Sequence, residues 1–194
     1  VTREATSSGS PSVEQRPRRA GAIPVAHTPP GGYGTAFPSP VLAGCAEPLV
    51  EGAPDLRGLW QVTEVEVNNA PASKTHPAYR HIERVEQCGD RMVVTGGGVI
   101  HDMRCDGTRD HGVHDVAVRD FRTPITVVAS YEDGVHVLRP VGLLPRLTGL
   151  LRGGRIEVTR RRDGADMIWS YVGFTARLRR IGEPNAAPPG PQRP

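Results

Sequence analysis

The stretch Asp55-Leu56-Arg57-Gly58-Leu59-Trp60, "DLRGLW", closes a long segment rich in proline, glycine and serine and opens the first patterned run of the chain. From Trp60 the residues alternate, "LWQVTEVEV", as in a half-buried strand whose successive side chains point to opposite faces. Similar runs follow: "HIERVEQ", "RMVVTGG", "VIHDMRC", "HGVHDVAVRDF", "PITVVASYE", "GVHVLRPVG", "RIEVTRRR" and "ADMIWSYVGFTARLRRI". Between runs stand Gly89-Asp90, Asp106-Gly107, Asp133-Gly134 and Asp163-Gly164. Glycine supplies the positive φ of a primed hairpin turn, so Asp-Gly between apolar runs predicts antiparallel neighbours. No window carries a sustained helical stripe, and the one short helix the pattern allows lies around 142–152.

About eight to ten strands in one continuous hairpin series predict an all-β fold, a closed antiparallel up-and-down barrel in preference to a sandwich. The β-barrel domain spans 55–182. The N-terminal extension, 1–54, lacks periodicity and cannot bury enough side chain to offset its ordering entropy. Its second half, 20–54, is richer, with Ile23, Val25, Tyr33, Phe37, Val41, Leu42, Leu49 and Val50, and can lie over the domain as a strap or lid. Residues 183–194, "EPNAAPPGPQRP", read as a disordered proline-rich tail.

A Gly-x-Trp at the start of the first strand resembles the opening motif of the lipocalins and their calycin relatives. That resemblance covers about 55–181 and implies that Trp60 plugs the closed end of the barrel beneath an arginine of the last run, Arg177 or Arg179. The family's middle Thr-Asp-Tyr motif is missing, so the resemblance is to a lipocalin-like calycin rather than to a true lipocalin. Size and strand pattern are also similar to small bacterial barrels of the allene-oxide-cyclase and spirotetronate-cyclase kind.

Composition narrows the function. The 194 residues favour one domain with tails, and the net charge is +3 with a pI near 9.0. Lys74 is the sole lysine, an arginine bias that fits a GC-rich bacterial genome. The arginine clusters at 16–19, 160–162 and 177–180 lack interleaved aromatics and read as solvated strand faces and a tail, not as a nucleic-acid surface. Cys45, Cys88 and Cys105 leave one thiol over in any pairing, which suits a reducing compartment. "VLAGC" at 41–45 is like a lipoprotein cleavage box, but no apolar region precedes it. No run reaches the roughly 18 apolar residues of a membrane helix. A cytoplasmic monomer or homodimer, with neither nucleic acid nor membrane as partner, is expected.

The densest polar stretch offers His101, Asp102, Asp106, His111, His114 and Asp115. Glycines and a turn break any helix that would gather histidines on a metal, so no metal site is expected there. Alternation puts Val99, His101, Met103 and Cys105 on one mostly apolar face, aiming His101 into the barrel. On 165–177, Met167, Trp169 and Tyr171 share a face that can line a pocket, with the Tyr171 hydroxyl orienting a ligand. On 125–139, Ile125, Val127, Ala129 and Tyr131 are taken in phase with Val135, Val137 and Arg139, which sends Arg139 inward with Glu86 as its carboxylate partner. No nucleophile elbow, Cys–His signature, phosphate loop or dinucleotide fingerprint occurs, and no cofactor is expected.

A small barrel of this kind encloses a hydrophobic small molecule. The expected function is a cofactor-free cyclase or isomerase acting on a natural-product intermediate. His101, Tyr171 and Arg139 would carry catalysis, and Trp169, Tyr131, Met167, Met103 and Glu86 would line the ligand. The alternatives are a non-catalytic carrier or sensor, and a structural domain with a filled core.

Overall fold

A computed structural model of the chain describes residues 18–142 and 156–188. The strands are β1 (Gly58–Val67), the short β2 (Ala70–Pro71), β3 (Ile82–Cys88), β4 (Arg91–Gly96), β5 (Val99–Arg104), β6 (Val113–Val116), β7 (Pro124–Glu132), β8 (Val135–Pro140), β9 (Val158–Asp163), β10 (Asp166–Tyr171) and β11 (Phe174–Gly182). Apart from β2, which folds back on β1, they run β5-β4-β3-β1-β11-β10-β9-β8-β7-β6, every pair antiparallel. The first strand lies between the third and the last, so the chain's own order closes the ring. The expected all-β antiparallel barrel is the fold found, and it is nearly closed. Its open seam lies between β5 and β6, where the Arg104 N–H donates to the His111 carbonyl (2.8 Å). The helix considered around 142–152 falls almost wholly outside the described residues.

Trp60 is fully buried and its indole N–H donates to the Leu56 carbonyl at 2.8 Å. The cation over its face is Arg162 of β9, 5.1 Å from the ring centroid, not an arginine of the last strand. Arg177 faces outward to Asp163 and Asp166 (2.6 and 3.1 Å), and Arg179 is exposed. Gly58 has φ +154°, and a Cβ there would stand 2.6 Å from Arg180 Nε. A glycine before the tryptophan therefore makes room for a side chain of the closing strand.

The extension from Arg18 onward is a strap, and it lies on the outer wall rather than over a mouth. Ala20, Ile23 and Leu42 pack on Cys88, Val93 and Ile100, the outward residues of β3, β4 and β5. A Cys45–Cys88 disulfide ties it down, which corrects the expectation of reduced cysteines; Cys105 is free and buried. The pairing engages the Cys45 sulfur, so the residue of the "VLAGC" box is held in a crosslink.

Register corrects two inward assignments. Asp133-Gly134 is a two-residue loop, so Glu132 pairs with Val135 and Tyr131 with His136. Across such a loop, residues on one face change from odd to even numbers, because the side-chain period is two. His136 and Leu138 therefore share the inner face with Tyr131 and Ala129, and Arg139 points out. Its guanidinium binds Glu132 and Glu157, the latter at 2.7 Å. Glu86 is also outside, beneath the strap. Its carboxylate accepts the Leu42 N–H (2.7 Å) and the Val41 N–H (3.2 Å), and Arg84 Nε lies 3.3 Å away. Burial pushes the Glu86 pKa up against the opposing pull of these partners.

Candidate functional site

The inner faces of three adjacent strands place His136 (β8), Arg160 (β9) and Trp169 (β10) in one cross-strand row. Direct antiparallel neighbours have Cβ atoms about 4.5–5.5 Å apart, so these side chains share one environment. His136 is fully buried, Arg160 is 5% exposed and Trp169 7%. Across the interior, Glu83 of β3 binds Arg160 in a fork, Nε to Oε1 at 2.8 Å and Nη2 to Oε2 at 2.9 Å. His81 adds a third contact to Glu83 Oε2 at 3.2 Å. Its ring also stacks on Trp169 with centroids 4.7 Å apart. The Arg160 guanidinium lies 5.6 Å from the Trp169 ring centroid.

Burial alone would raise the Glu83 pKa, but Arg160 and His81 outweigh it and hold the carboxyl below its ordinary range. His136 moves the opposite way. Burial, helped by the adjacent Arg160, depresses its pKa from 6.5 to about 3, with Glu83 opposing. The imidazole is therefore neutral at pH 7.

Within this row four nitrogens have no partner in the protein: Arg160 Nη1, Trp169 Nε1 and both ring nitrogens of His136. An unpaired buried polar group costs about 1–3 kcal/mol. Buried polar groups are nearly always satisfied, so these adjacent orphans carry bonding capacity that the chain itself does not use.

The other inner residues are either apolar or satisfied. Tyr131 lies beside His136 (ring centroids 5.9 Å), and its hydroxyl accepts from Gln87 Nε2 at 3.0 Å. Gln87 in turn bonds the Pro54 carbonyl and the Leu56 N–H. Cys105 is buried beside Tyr131, and burial raises its thiol to about 12, which makes it inert as a nucleophile. His101 faces inward as alternation suggests, with its ring 3.3 Å from the Val116 carbonyl across the seam. Burial, foremost, lowers its pKa too. Met103 and Met167 are core residues on the same inner surface.

The residues named from sequence are thus scattered. Trp169 belongs to the row and Tyr131 flanks it. Tyr171 lies at the rim beside Phe174, 43% exposed. Arg139 and Glu86 are on the outside. Glu83, His136 and Arg160 were missed. Arg160 sits in "TRRRD", which resembles a solvated face, and only its phase with Val158 marks it as inward.

The polar stretch 101–115 does not converge. Asp102 faces out to Arg91 (2.8 and 2.6 Å), Asp106 binds His111 (2.5 Å), and Asp115 accepts from Thr28 on the strap. The glycines of "TGGGV" make the β4–β5 turn, with φ +58° and +90° at Gly97 and Gly98. No helix among the described residues is long and apolar enough to cross a membrane. Comparison with profiles of known protein families and with characterised proteins gives no match, so the chemistry rests on this geometry alone.

Proposed function

We propose that the barrel binds one small, mainly apolar molecule whose carbonyl or carboxylate oxygen is held by Arg160 Nη1 and Trp169 Nε1, with neutral His136 beside it. The observation that carries this reading is the row of buried, unpartnered nitrogens on the inner face; the other such atoms among the described residues, Arg84 Nε and Thr95 Oγ1, lie on the outer face of β3 and β4. Arg160 and Trp169 can only donate, so the ligand atom that meets them is an acceptor. Met167, Val94 and Met103 provide the apolar surroundings.

Binding is the first reading because the strap, over its described residues, packs against the outer wall. A cofactor-free cyclase or isomerase is the second. Arg160 is fixed by Glu83 before any ligand arrives, as a group that stabilises a developing oxyanion must be. The disulfide favours an oxidising compartment over the cytoplasm.

Trp60→Phe leaves Trp169 as the sole tryptophan and so as the reporter. Titration with hexanoate and 2-hexanone should shift its emission, while hexane should not. Replacing the ion pair jointly, Glu83→Leu with Arg160→Met, should weaken the hexanoate response about ten- to a hundredfold, the loss of one charge-assisted hydrogen bond. No response to any probe, with no small molecule released from the denatured protein in mass spectrometry, would overturn the proposal.

A further inference from the structure

The barrel wall is a continuous ladder except between β5 and β6. The strap spans this seam with side-chain bonds instead of strand pairing. Thr28 Oγ1 accepts the Ile100 N–H of β5 at 2.9 Å. The same residue donates to Asp115 Oδ2 of β6 through its hydroxyl (3.0 Å) and its backbone N–H (2.9 Å). The Ala26 N–H donates to Asp102 Oδ2 at 2.8 Å.

Beneath this crossing is a pocket of about 340 Å³, inside the range of roughly 300–1,000 Å³ for small-molecule sites. Ile23, Val25 and Ala26 of the strap, Met103 of β5, and His111 and His114 line it. Met103 is the informative residue. At 2% exposed it belongs to the interior core, and the same residue lines this outer pocket. Met103 is therefore the residue shared by the pocket and the core, and its unbranched side chain is flexible. Each histidine is oriented by one ring nitrogen, His111 Nδ1 on Asp106 (2.5 Å) and His114 Nε2 on the Arg109 carbonyl (2.8 Å). The second nitrogen of each ring is left for a ligand.

Elsewhere the interior is crowded by aromatic rings: Trp60 lies under Arg162, and Trp169 has His81 stacked on it and Phe174 edge-on at 5.2 Å.

We propose that the pocket beneath the strap is a docking site and side port for the barrel. A small, mainly apolar molecule with a carbonyl or carboxylate oxygen rests there against Ile23 and Ala26, its polar end on His111 or His114, and passes Met103 to the interior row. The inference rests on the interior-ligand reading for what arrives, but not for how the interior is reached. The Cys45–Cys88 crosslink pins the neck of the strap, where Arg18 pairs with Cys45, and so limits how far the strap lifts.

Acrylamide, a small neutral amide with a carbonyl oxygen, is the probe, and quenching of Trp169 in the Trp60→Phe protein is the readout. Reducing the disulfide should raise the quenching constant by roughly twofold or more, as local opening exposes the seam. Ala26→Phe, which fills the pocket from the strap side, should lower it with the disulfide intact. Tyr79→Ala, which loosens the far end of the barrel, should leave it unchanged. Equal quenching in oxidised, reduced and Ala26→Phe protein, or a rise confined to Tyr79→Ala, would overturn the proposal. Acrylamide reads access whether or not any ligand binds, so this failure is distinct from a failed hexanoate titration.

Discussion

Two buried arginines, one on each side of the same barrel wall, are treated differently. Arg91, beneath the strap, donates Nε and Nη2 to Asp102 and also binds the carbonyls of Ala20, Ile23 and Pro24 at 2.6–2.8 Å. Arg160, inside, donates Nε and Nη2 to Glu83 and leaves Nη1 without a partner. Both resolve the cost of burying a charge by forking onto a carboxylate. Only Arg91 uses the rest of its donors on the chain itself. A fully engaged guanidinium is an architectural lock, whereas the underused one, beside three further orphaned nitrogens, keeps donor capacity that the proposed ligand would use.

The sharpest way to break this contrast is Arg91→Ala. It leaves Asp102 buried and three strap carbonyls unpaired, and should cost about 3–5 kcal/mol, as for other broken buried pairs. Denaturant titration measures the cost, and protease cleavage within 18–47 should accelerate in parallel. A loss under about 1 kcal/mol would deny the lock.

The interior pair should behave less severely once both partners are exchanged. Arg160→Met alone strands Glu83, but Glu83→Leu with Arg160→Met should return to within about 1–2 kcal/mol of the parent, because a well-packed apolar pair can replace a buried salt bridge. A double variant as unstable as the single one would make the pair structural and weaken the ligand reading.

The smallest effect is a pH dependence. His136 in the folded protein has its pKa depressed to about 3 from 6.5. Between those values the unfolded chain binds the proton and the folded chain does not, so stability is complete above pH 6.5 and falls as the pH drops toward 3. The depressed His101 and Glu83 act in the same direction. Between pH 7 and pH 5, His136→Phe should therefore lose about 4–8 °C less in Tm than the parent, the shift of a roughly 2 kcal/mol change in a chain of this size. Equal losses would mean that His136 is protonated in the folded state.

How much of this was legible in the sequence depends on the kind of signal. Turns and alternation are local, and they sufficed for the barrel. Trp60 was recognisable as a buried core residue because a glycine and a tryptophan at the head of the first strand restrict what can pack there. Its arginine was not, since the choice between β9 and β11 depends on strand tilt across the interior. Arg139 and His136 exchanged roles through one error of parity at Asp133-Gly134, where a two-residue loop switches odd for even. Glu83 and Arg160 are 77 residues apart, and no local pattern pairs them. Cys45–Cys88 was hidden for the same reason: an odd cysteine count argues against a fully paired set, not against a single bridge.

The placing of β1 between β3 and β11 has a consequence for how the chain acquires its shape. Nearly every other strand contact is to a neighbour in the chain, so hairpins from β3 to β5 and from β7 to β11 can zip locally and fast. The β1–β11 ladder is different, since Leu59 must find Gly182 and Trp60 must find Arg180. Loop-closure entropy makes such a distant pairing the slow event. Until it happens, the polar row on β8, β9 and β10 belongs to an open, curved sheet. The interior becomes an interior only at that last step.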